Sequence, residues 1–151
     1  MSLTLIAAWR AIHLALAFAI VLQSIELLRL RDAWGDSGIW RWRWLSCEDP
    51  RGVGPLLGTL LSARGFEALL YARAAGAVVL GTLAVLHFDV PLLLITLLFF
   101  ATLAIVLRFR GPFNGGSDAM TLMMLIGAGV PTLAPGVKWV ARAGLAWIAV
   151  N

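Results

Sequence analysis

The chain alternates long apolar segments with short polar ones. The apolar runs cover about residues 3–28, 66–88, 90–107 and 119–133, and another occupies 137–151. About 20 apolar residues, at a helical rise of about 1.5 Å each, are enough to cross the hydrocarbon core of a bilayer. The pattern predicts an all-α fold, a polytopic membrane helical bundle with four transmembrane helices plus the start of a fifth.

The joins between these runs are of different lengths. Only residues 87–91 separate the second run from the third, so these two runs are expected to form an antiparallel helical hairpin. Pro131 and Pro135 close the fourth run. The fifth run reaches Asn151 without a C-terminal stop signal, which favours a native chain that continues past this residue.

The largest polar segment is the loop 29–65, which contains most of the charged residues and several Gly and Pro breakers. Within it, residues 55–63 are apolar but too few to cross a bilayer, so an interfacial helix is expected there. The remainder of the chain is almost all helix, and residues 1–151 are therefore expected to form a single transmembrane domain.

Composition supports this assignment. Apolar residues make up 61% of the chain and charged residues 13%, whereas soluble domains have roughly 45–50% and about 25%. The net charge of +4 comes mostly from arginines beside the apolar runs, a distribution suited to anionic lipid. Membrane lipids are therefore the expected partners and nucleic acid is not. Cys47 is the only cysteine, which excludes an internal disulfide.

The arginines also predict the orientation. The loops after the first and third runs contain eight of them, and the two opposite turns contain only Lys138. Positively charged loops stay in the cytoplasm. We therefore predict a multi-pass protein of the bacterial inner (plasma) membrane with cytoplasmic loops at 29–65 and 108–118 and a periplasmic N-terminus.

The second of these loops, RFRGPFNGGSD, directly precedes a helix. Glycines permit positive φ, and successive backbone amides at a helix start attract anions. One interpretation is a site for an anion or lipid headgroup; the other is a capped turn with ordinary positive-inside arginines. The residues of the candidate site are Arg108, Arg110, Asn114, Gly115, Gly116 and Ser117.

Three ionisable residues lie within or at the edges of the first run: Arg10, His13 and Glu26. Ionisable groups at membrane depth usually face partners or a wet cavity. Arg10 and Glu26 are close enough to the ends of the run to extend toward the interfaces. The imidazole of His13 could form structural hydrogen bonds, or contribute with His87 to a quinone or haem site.

Indoles and guanidiniums alternate from Trp40 through Trp42 to Trp44. In an extended segment the rings would share one face, which suits an interfacial anchor, or else a contact for a partner subunit. Nucleotide-binding, redox-dithiol, nucleophile-elbow and zinc-protease motifs are all missing from the sequence. No catalytic residue and no metal ligand is therefore assigned.

These features resemble the N-terminal part of the bacterial HTTM family, which shares its transmembrane domain with vitamin K-dependent gamma-carboxylase. The similar stretches are LQSIELLRLRDAWGDSGIWRWRWL, RFRGPFNGGSDAMTLMML and AGLAWIAVN. The layout is also similar, more loosely, to small DoxX/MauE-type membrane proteins. The resemblance implies the first half of a longer domain, in which the catalytic lysine and substrate region of the carboxylases come later, so no catalytic role transfers to Lys138.

The sequence thus favours a non-catalytic membrane protein. It would be an accessory subunit of a larger bacterial membrane assembly, alongside other membrane protein subunits, or the helical scaffold of an HTTM-like protein, with no cofactor required. The alternative is a redox or carboxylase-like enzyme component with a quinone-type or lipid-type site near His13.

Overall fold

The computed structural model describes residues 3–42, 55–109, 116–133 and 138–150, and within these ranges it contains helices and no strand. The all-α prediction is therefore confirmed. In chain order, the helices described are α1 (Leu3–Arg29), α2 (Arg31–Trp34), α3 (Pro55–Leu61), α4 (Ala63–Val85), α5 (Leu92–Arg108), α6 (Gly116–Leu133) and α7 (Lys138–Val150).

Local chemistry explains where α4 begins and ends. It starts three residues before the predicted position, because the Ser62 side chain caps it by accepting a hydrogen bond from the Gly65 amide at 3.3 Å. It ends at Val85 rather than 88, since His87 adopts a left-handed conformation with φ of 66° that a helix does not continue through. Pro91 then directly precedes α5.

Three helices are long and apolar enough to cross a membrane. Their apolar segments are Thr4–Arg29, Ala63–Val85 and Leu92–Phe109, with mean hydropathies of 2.1, 1.7 and 2.5. Among the side chains of α6 that the structure describes, the apolar stretch is Ser117–Val130. The 13 residues of α7 extend about 20 Å at the usual rise. Three membrane-length helices are therefore established, while a fourth and a fifth crossing stay predictions.

The four long helices contribute to two buried apolar clusters. Helix α1 packs along α4, α5 packs against α4 and α6, and α6 closes the ring by contacting α1. Helix α7 packs against α6, and its Leu145 and Ile148 contact the core. The larger cluster consists of apolar side chains from all four helices: Leu5, Trp9, Leu16, Ala17, Ile20, Ala77, Leu80, Ile95, Leu98, Leu125 and Ala128. The smaller cluster consists of Leu27, Trp34, Phe66, Leu70 and Ile105.

Glycines allow the close contact of α6 with α7. A Cβ atom at Gly144 would lie 2.8 Å from the carbonyl oxygen of Gly127 and 3.0 Å from the ring of Trp9. The first distance is too short for a real Cβ, and the second would require the Trp9 ring to shift by a few tenths of an ångström. Small residues of this kind let helix backbones approach closely where hydrophobic burial gives no driving force between helices.

The residues that border the two predicted cytoplasmic loops, 29–65 and 108–118, lie at the same end of the bundle. Arg108 at the end of α5 donates hydrogen bonds to the carbonyl oxygens of Trp34 and Leu61, which border the first loop. Arg31 and Glu67 form an ion pair of 2.9 Å between α2 and α4 at this end. We call it the basic end. Its cytoplasmic location stays a prediction.

Cysteine labelling tests the orientation. In a Cys47→Ser background, Asp89→Cys at the α4–α5 turn should react with a membrane-impermeant maleimide in spheroplasts. Ser37→Cys, which is exposed beyond α2, should react only after lysis, because positively charged loops stay in the cytoplasm. The reversed labelling pattern would contradict the predicted orientation.

Candidate functional site

The centre of the basic half of the bundle is occupied by a charged side chain. Arg73 lies ten residues into α4, and only 1% of it is exposed. At the usual helical rise it is about 15 Å from the start of the helix. Charge is expensive at such a position unless hydrogen bonds compensate it.

The guanidinium of Arg73 reaches two neighbouring helices. Its Nε donates to the hydroxyl of Thr102 on α5 at 3.1 Å. Its two terminal nitrogens donate to the hydroxyl of Ser24 at 3.2 Å and to the amide oxygen of Gln23 at 2.6 Å, both on α1. One side chain of α4 therefore links α1 and α5.

Gln23 extends this network to the fourth helix. Its Nε2 donates to the hydroxyl of Thr121 at 2.9 Å and to the carbonyl oxygen of Ser117 at 3.3 Å, both on α6. The amide is thus oriented with its oxygen toward Arg73 and its nitrogen toward α6. The arginine network therefore joins all four long helices.

The hydroxyl groups in the network are oriented by their own helices. Ser24, Thr102 and Thr121 each donate to the carbonyl oxygen four residues earlier, at 2.8 Å in every case. This leaves the oxygen lone pairs free to accept from Arg73 or Gln23. Each hydroxyl therefore donates one hydrogen bond to its own helix and accepts one from Arg73 or Gln23.

Asp118 supplies negative charge nearby. It lies in the first turn of α6, is 3% exposed, and attracts Arg73 electrostatically. A carboxylate in the first turn of a helix is also favoured by the helix dipole. The arginine network therefore contains a buried group of each sign.

Replacing Arg73 should destabilise the bundle. Arg73→Ala leaves the acceptors on α1 and α5 without their donor and removes the positive charge that attracts Asp118, so we expect the free energy of unfolding to fall by about 2–5 kcal/mol. Titration with SDS in mixed micelles, followed by circular dichroism, measures the change. Arg64→Ala removes an exposed arginine of the same helix and is the matched control; equal stability of the two variants would contradict the structural role of Arg73.

A second buried arginine lies at the basic end. Arg108 is 0% exposed, and its terminal nitrogens donate to the carbonyl oxygens of Trp34, at 2.7 Å, and Leu61. Its guanidinium carbon lies 4.5 Å from the ring centre of Phe66 and 5.8 Å from those of Trp34 and Phe109. Such distances are within the range of cation–π attraction. We call this arrangement the aromatic cage.

The aromatic cage fixes the short helices to the bundle. The carbonyl groups of Trp34 and Leu61 belong to the last residues of α2 and α3, where a helix leaves its carbonyls without partners. The indole Nε1 of Trp34 in turn donates to the carbonyl oxygen of Leu27 at 2.6 Å. Arg108 therefore holds α2 and α3 against α4 and α5.

A lysine should replace Arg108 poorly. One ammonium lacks the planar fork that reaches two carbonyl groups while stacking on rings, so Arg108→Lys should cost about 1–3 kcal/mol. We expect faster amide hydrogen exchange in α2 and α3, measured by mass spectrometry. Arg29→Lys changes an exposed arginine at the end of α1 and should leave these rates unchanged. Wild-type exchange rates in Arg108→Lys would show that the cage does not fix the two helices.

The predicted anion loop lies partly outside the described residues, which exclude Arg110, Asn114 and Gly115. Arg108 is inside the aromatic cage, and Gly116 is the first residue of α6. The carbonyl oxygen of Ser117 accepts from Gln23 and Thr121. An anion or lipid headgroup site in this loop stays a prediction, and Arg108 has a structural role beside it.

The tryptophan segment is described as far as Trp42, so Trp44 lies outside the described residues. Residues 35–40 form turns rather than an extended strand. The Trp40 ring lies 6.3 Å from that of Phe109, and the Trp42 ring lies 6.0 Å from the guanidinium carbon of Arg108. These two indoles therefore lie beside the aromatic cage, and membrane anchoring by them stays a prediction.

The polar residues predicted on α1 are not gathered into one site. Glu26 is exposed near the basic end, and Arg10 is half-buried toward the opposite end. The Nε2 atom of His13 is buried without a hydrogen-bond partner, and so is the Nε1 atom of Trp9. Their rings are 5.9 Å apart. Among the described residues, no group of three potential metal ligands occurs.

Sequence reasoning did not assign the arginine network as a site. A signal was present, because Arg73 interrupts the apolar run YARAAGAVVL. The sequence did not show which residues bond to Arg73 and Gln23, because Ser24, Thr102 and Thr121 resemble any small polar residues in apolar helices.

Comparisons with known proteins add no relative: no family model, curated protein or solved structure matches the chain.

Proposed function

We propose that the chain is a non-catalytic integral membrane protein, an accessory or scaffold subunit of a larger bacterial membrane assembly or the helical scaffold of an HTTM-like protein. The observation that supports this most is the use of both buried arginines. Arg73 bonds to α1 and α5, and Arg108 bonds to the ends of α2 and α3. Their chemistry thus holds helices together rather than facing a cavity.

The outer surface of the bundle fits the same role. Large apolar side chains are exposed on each of the three membrane-length helices, among them Phe18 on α1, Tyr71 on α4 and Phe100 on α5. Contiguous apolar surface of this kind faces lipid tails or the helices of other subunits. The lipid-headgroup contacts predicted for the 108–118 loop and the tryptophan segment would then fix the depth of the bundle.

Purification from native membranes tests the accessory role. In mild detergent, we expect the tagged chain to elute with a second membrane subunit at a mass well above 16.3 kDa, because the apolar faces are available for helix contacts. Light scattering corrected for detergent measures the mass. Arg73→Ala, which disturbs the bundle, should reduce the amount of copurified subunit, whereas Arg64→Ala should not. A stable monomer with no copurifying protein would contradict this role.

One observation favours a second candidate function. The unpartnered Nε2 of His13 is an unusual feature for a purely structural helix, because a buried polar atom without a hydrogen bond costs about 1–3 kcal/mol. We propose as the alternative a redox or carboxylase-like enzyme component with a quinone-type or lipid-type site near His13.

Histidine replacement tests this alternative. His13→Ala should abolish the copurified cofactor and any associated redox activity, while His87→Ala, at the exposed α4–α5 turn, should change neither. Extraction of the purified protein with organic solvent, followed by mass spectrometry, measures the cofactor. Unchanged content in His13→Ala would eliminate the alternative without affecting the scaffold proposal.

A further inference from the structure

An apolar groove runs along the outside of the bundle between α1 and α4. Small residues form its floor: Ala17 and Ala77 are buried, and a Cβ atom at Gly81 would lie 3.4 Å from that of Ala17. Large exposed side chains form its walls, among them Phe18 on α1 and Val78 on α4. The groove is therefore a narrow furrow above the line where the two helices approach closely.

The size and lining of the groove fit a hydrocarbon chain better than a helix. Its volume is about 440 Å³, and its lining on α1 extends from Leu14 to Val21, about 10 Å at the usual rise. A helix with its side chains would occupy roughly 800 Å³ or more over that length. The hydroxyl of Thr82 in the lining already donates to the carbonyl oxygen of Val78. An acyl chain therefore matches the groove in both width and polarity.

A positive charge lies on the groove face of α1. Arg10 precedes the groove residues Leu14 and Ala17 by four and seven positions, and residues at these spacings share one face of a helix. Its side chain is half-buried and forms no ion pair within the part of the chain that the structure describes. The charge of Arg10 is therefore available to a ligand in the groove.

Arg10 is level with the end of the groove. Ala17 of α1 lies beside Gly81 of α4, and the arginine network joins later residues of α1 to earlier residues of α4, so the two helices run antiparallel. Arg10 is seven residues, or about 10 Å, beyond Ala17. The same distance beyond Gly81 leads past Leu86, the last groove residue of α4, into the α4–α5 turn. Arg10 therefore lies at the edge of the bundle, where an acyl chain in the groove would meet its headgroup.

The charge at this level selects the headgroup. A guanidinium binds phosphate oxygens through two parallel hydrogen bonds. A phosphodiester with no other charge on the head neutralises Arg10, whereas an ethanolamine head brings an ammonium that the guanidinium repels. Asp89 is exposed in the nearby α4–α5 turn and disfavours a head with a second negative charge. A singly charged anionic head is therefore the complementary one.

We propose that the groove between α1 and α4 binds one anionic glycerophospholipid of the phosphatidylglycerol class, with its phosphate on Arg10 and an acyl chain along the groove. This site lies at the opposite end of the bundle from the predicted headgroup loop 108–118. It goes beyond the proposed function, since it requires neither a partner subunit nor a cofactor. Its failure would leave the copurification and cofactor tests unaffected.

Native mass spectrometry of the full chain tests the proposal. The chain is purified in detergent, freed of lipid, and titrated with palmitoyl-oleoyl phosphatidylglycerol or with phosphatidylethanolamine of the same acyl chains. One phosphatidylglycerol should bind saturably, with a dissociation constant about tenfold lower than that of phosphatidylethanolamine, because only the anionic head neutralises Arg10. The same spectra report whether the chain is a monomer or a dimer.

One pair of variants tests recognition of the head. Arg10→Gln should weaken phosphatidylglycerol binding about tenfold, as expected for the loss of a charge-assisted hydrogen bond, and should remove the preference over phosphatidylethanolamine. Arg142→Gln is the matched control, because it changes an exposed arginine of α7, which packs against α6. This control should bind phosphatidylglycerol as the wild type does.

A second pair tests recognition of the tail. Thr82→Phe places a ring in the groove from its exposed wall and should weaken phosphatidylglycerol binding about tenfold. Val79→Phe adds the same ring to an exposed position of α4 outside the groove lining and should not. Val85→Phe is a second groove variant. An unchanged SDS unfolding midpoint verifies that each variant is folded.

Four results would overturn the inference. The first is equal affinity for phosphatidylglycerol in the wild type and in Arg10→Gln. The second is a preference for phosphatidylethanolamine, which would show that an ammonium on Asp89 decides the selection. The third is wild-type affinity in the folded groove variants. The fourth is a dimer of the chain that Thr82→Phe dissociates, since the groove would then hold a helix of a second copy.

Discussion

The structure depends on how a permanently charged guanidinium is accommodated far from water. Arg73 has a fixed fork of donors and no ability to lose its charge at ordinary pH, so its acceptors must come from the protein. Thr102, Ser24 and Gln23 provide them from two other helices, and Gln23 connects the group to α6. Each of these bonds joins two helices, so the arginine network fixes the rotation and depth of the helices relative to one another. Apolar packing alone determines rotation and depth less precisely.

Arg108 meets the same constraint with different partners. It uses carbonyl groups at the ends of α2 and α3 and the faces of aromatic rings rather than side-chain oxygens. Both solutions lie in the basic half of the bundle. The other half is held by apolar side chains and by the close approach of Gly127 and Gly144. The unsatisfied nitrogens of Trp9 and His13 lie in this apolar half.

The sequence predicts the positions of the helices well and the buried polar contacts between them poorly. Apolar runs determine where a helix can lie, and local signals such as Ser62 and Pro91 determine its ends to within a few residues. Burial of Arg108 was not predictable, because an arginine at the end of an apolar run fits the positive-inside rule equally well when it points outward. Partners of Arg73 were not predictable either, since they lie 29 to 50 residues away along the chain and are identified only when the helices are packed.

The arginine network also explains why the first turn of α6 is polar. Ser117 and Thr121 contact Gln23, which lies six residues before the end of α1, or about 9 Å inside it at the usual rise. Helix α6 therefore begins within the bundle rather than at its edge, and its first turn is polar because it contributes to the network. Its 18 residues extend about 27 Å from that depth, which is enough to reach the opposite end. This geometry favours the predicted fourth crossing, since backbone that starts at membrane depth is tolerated where protein surrounds it.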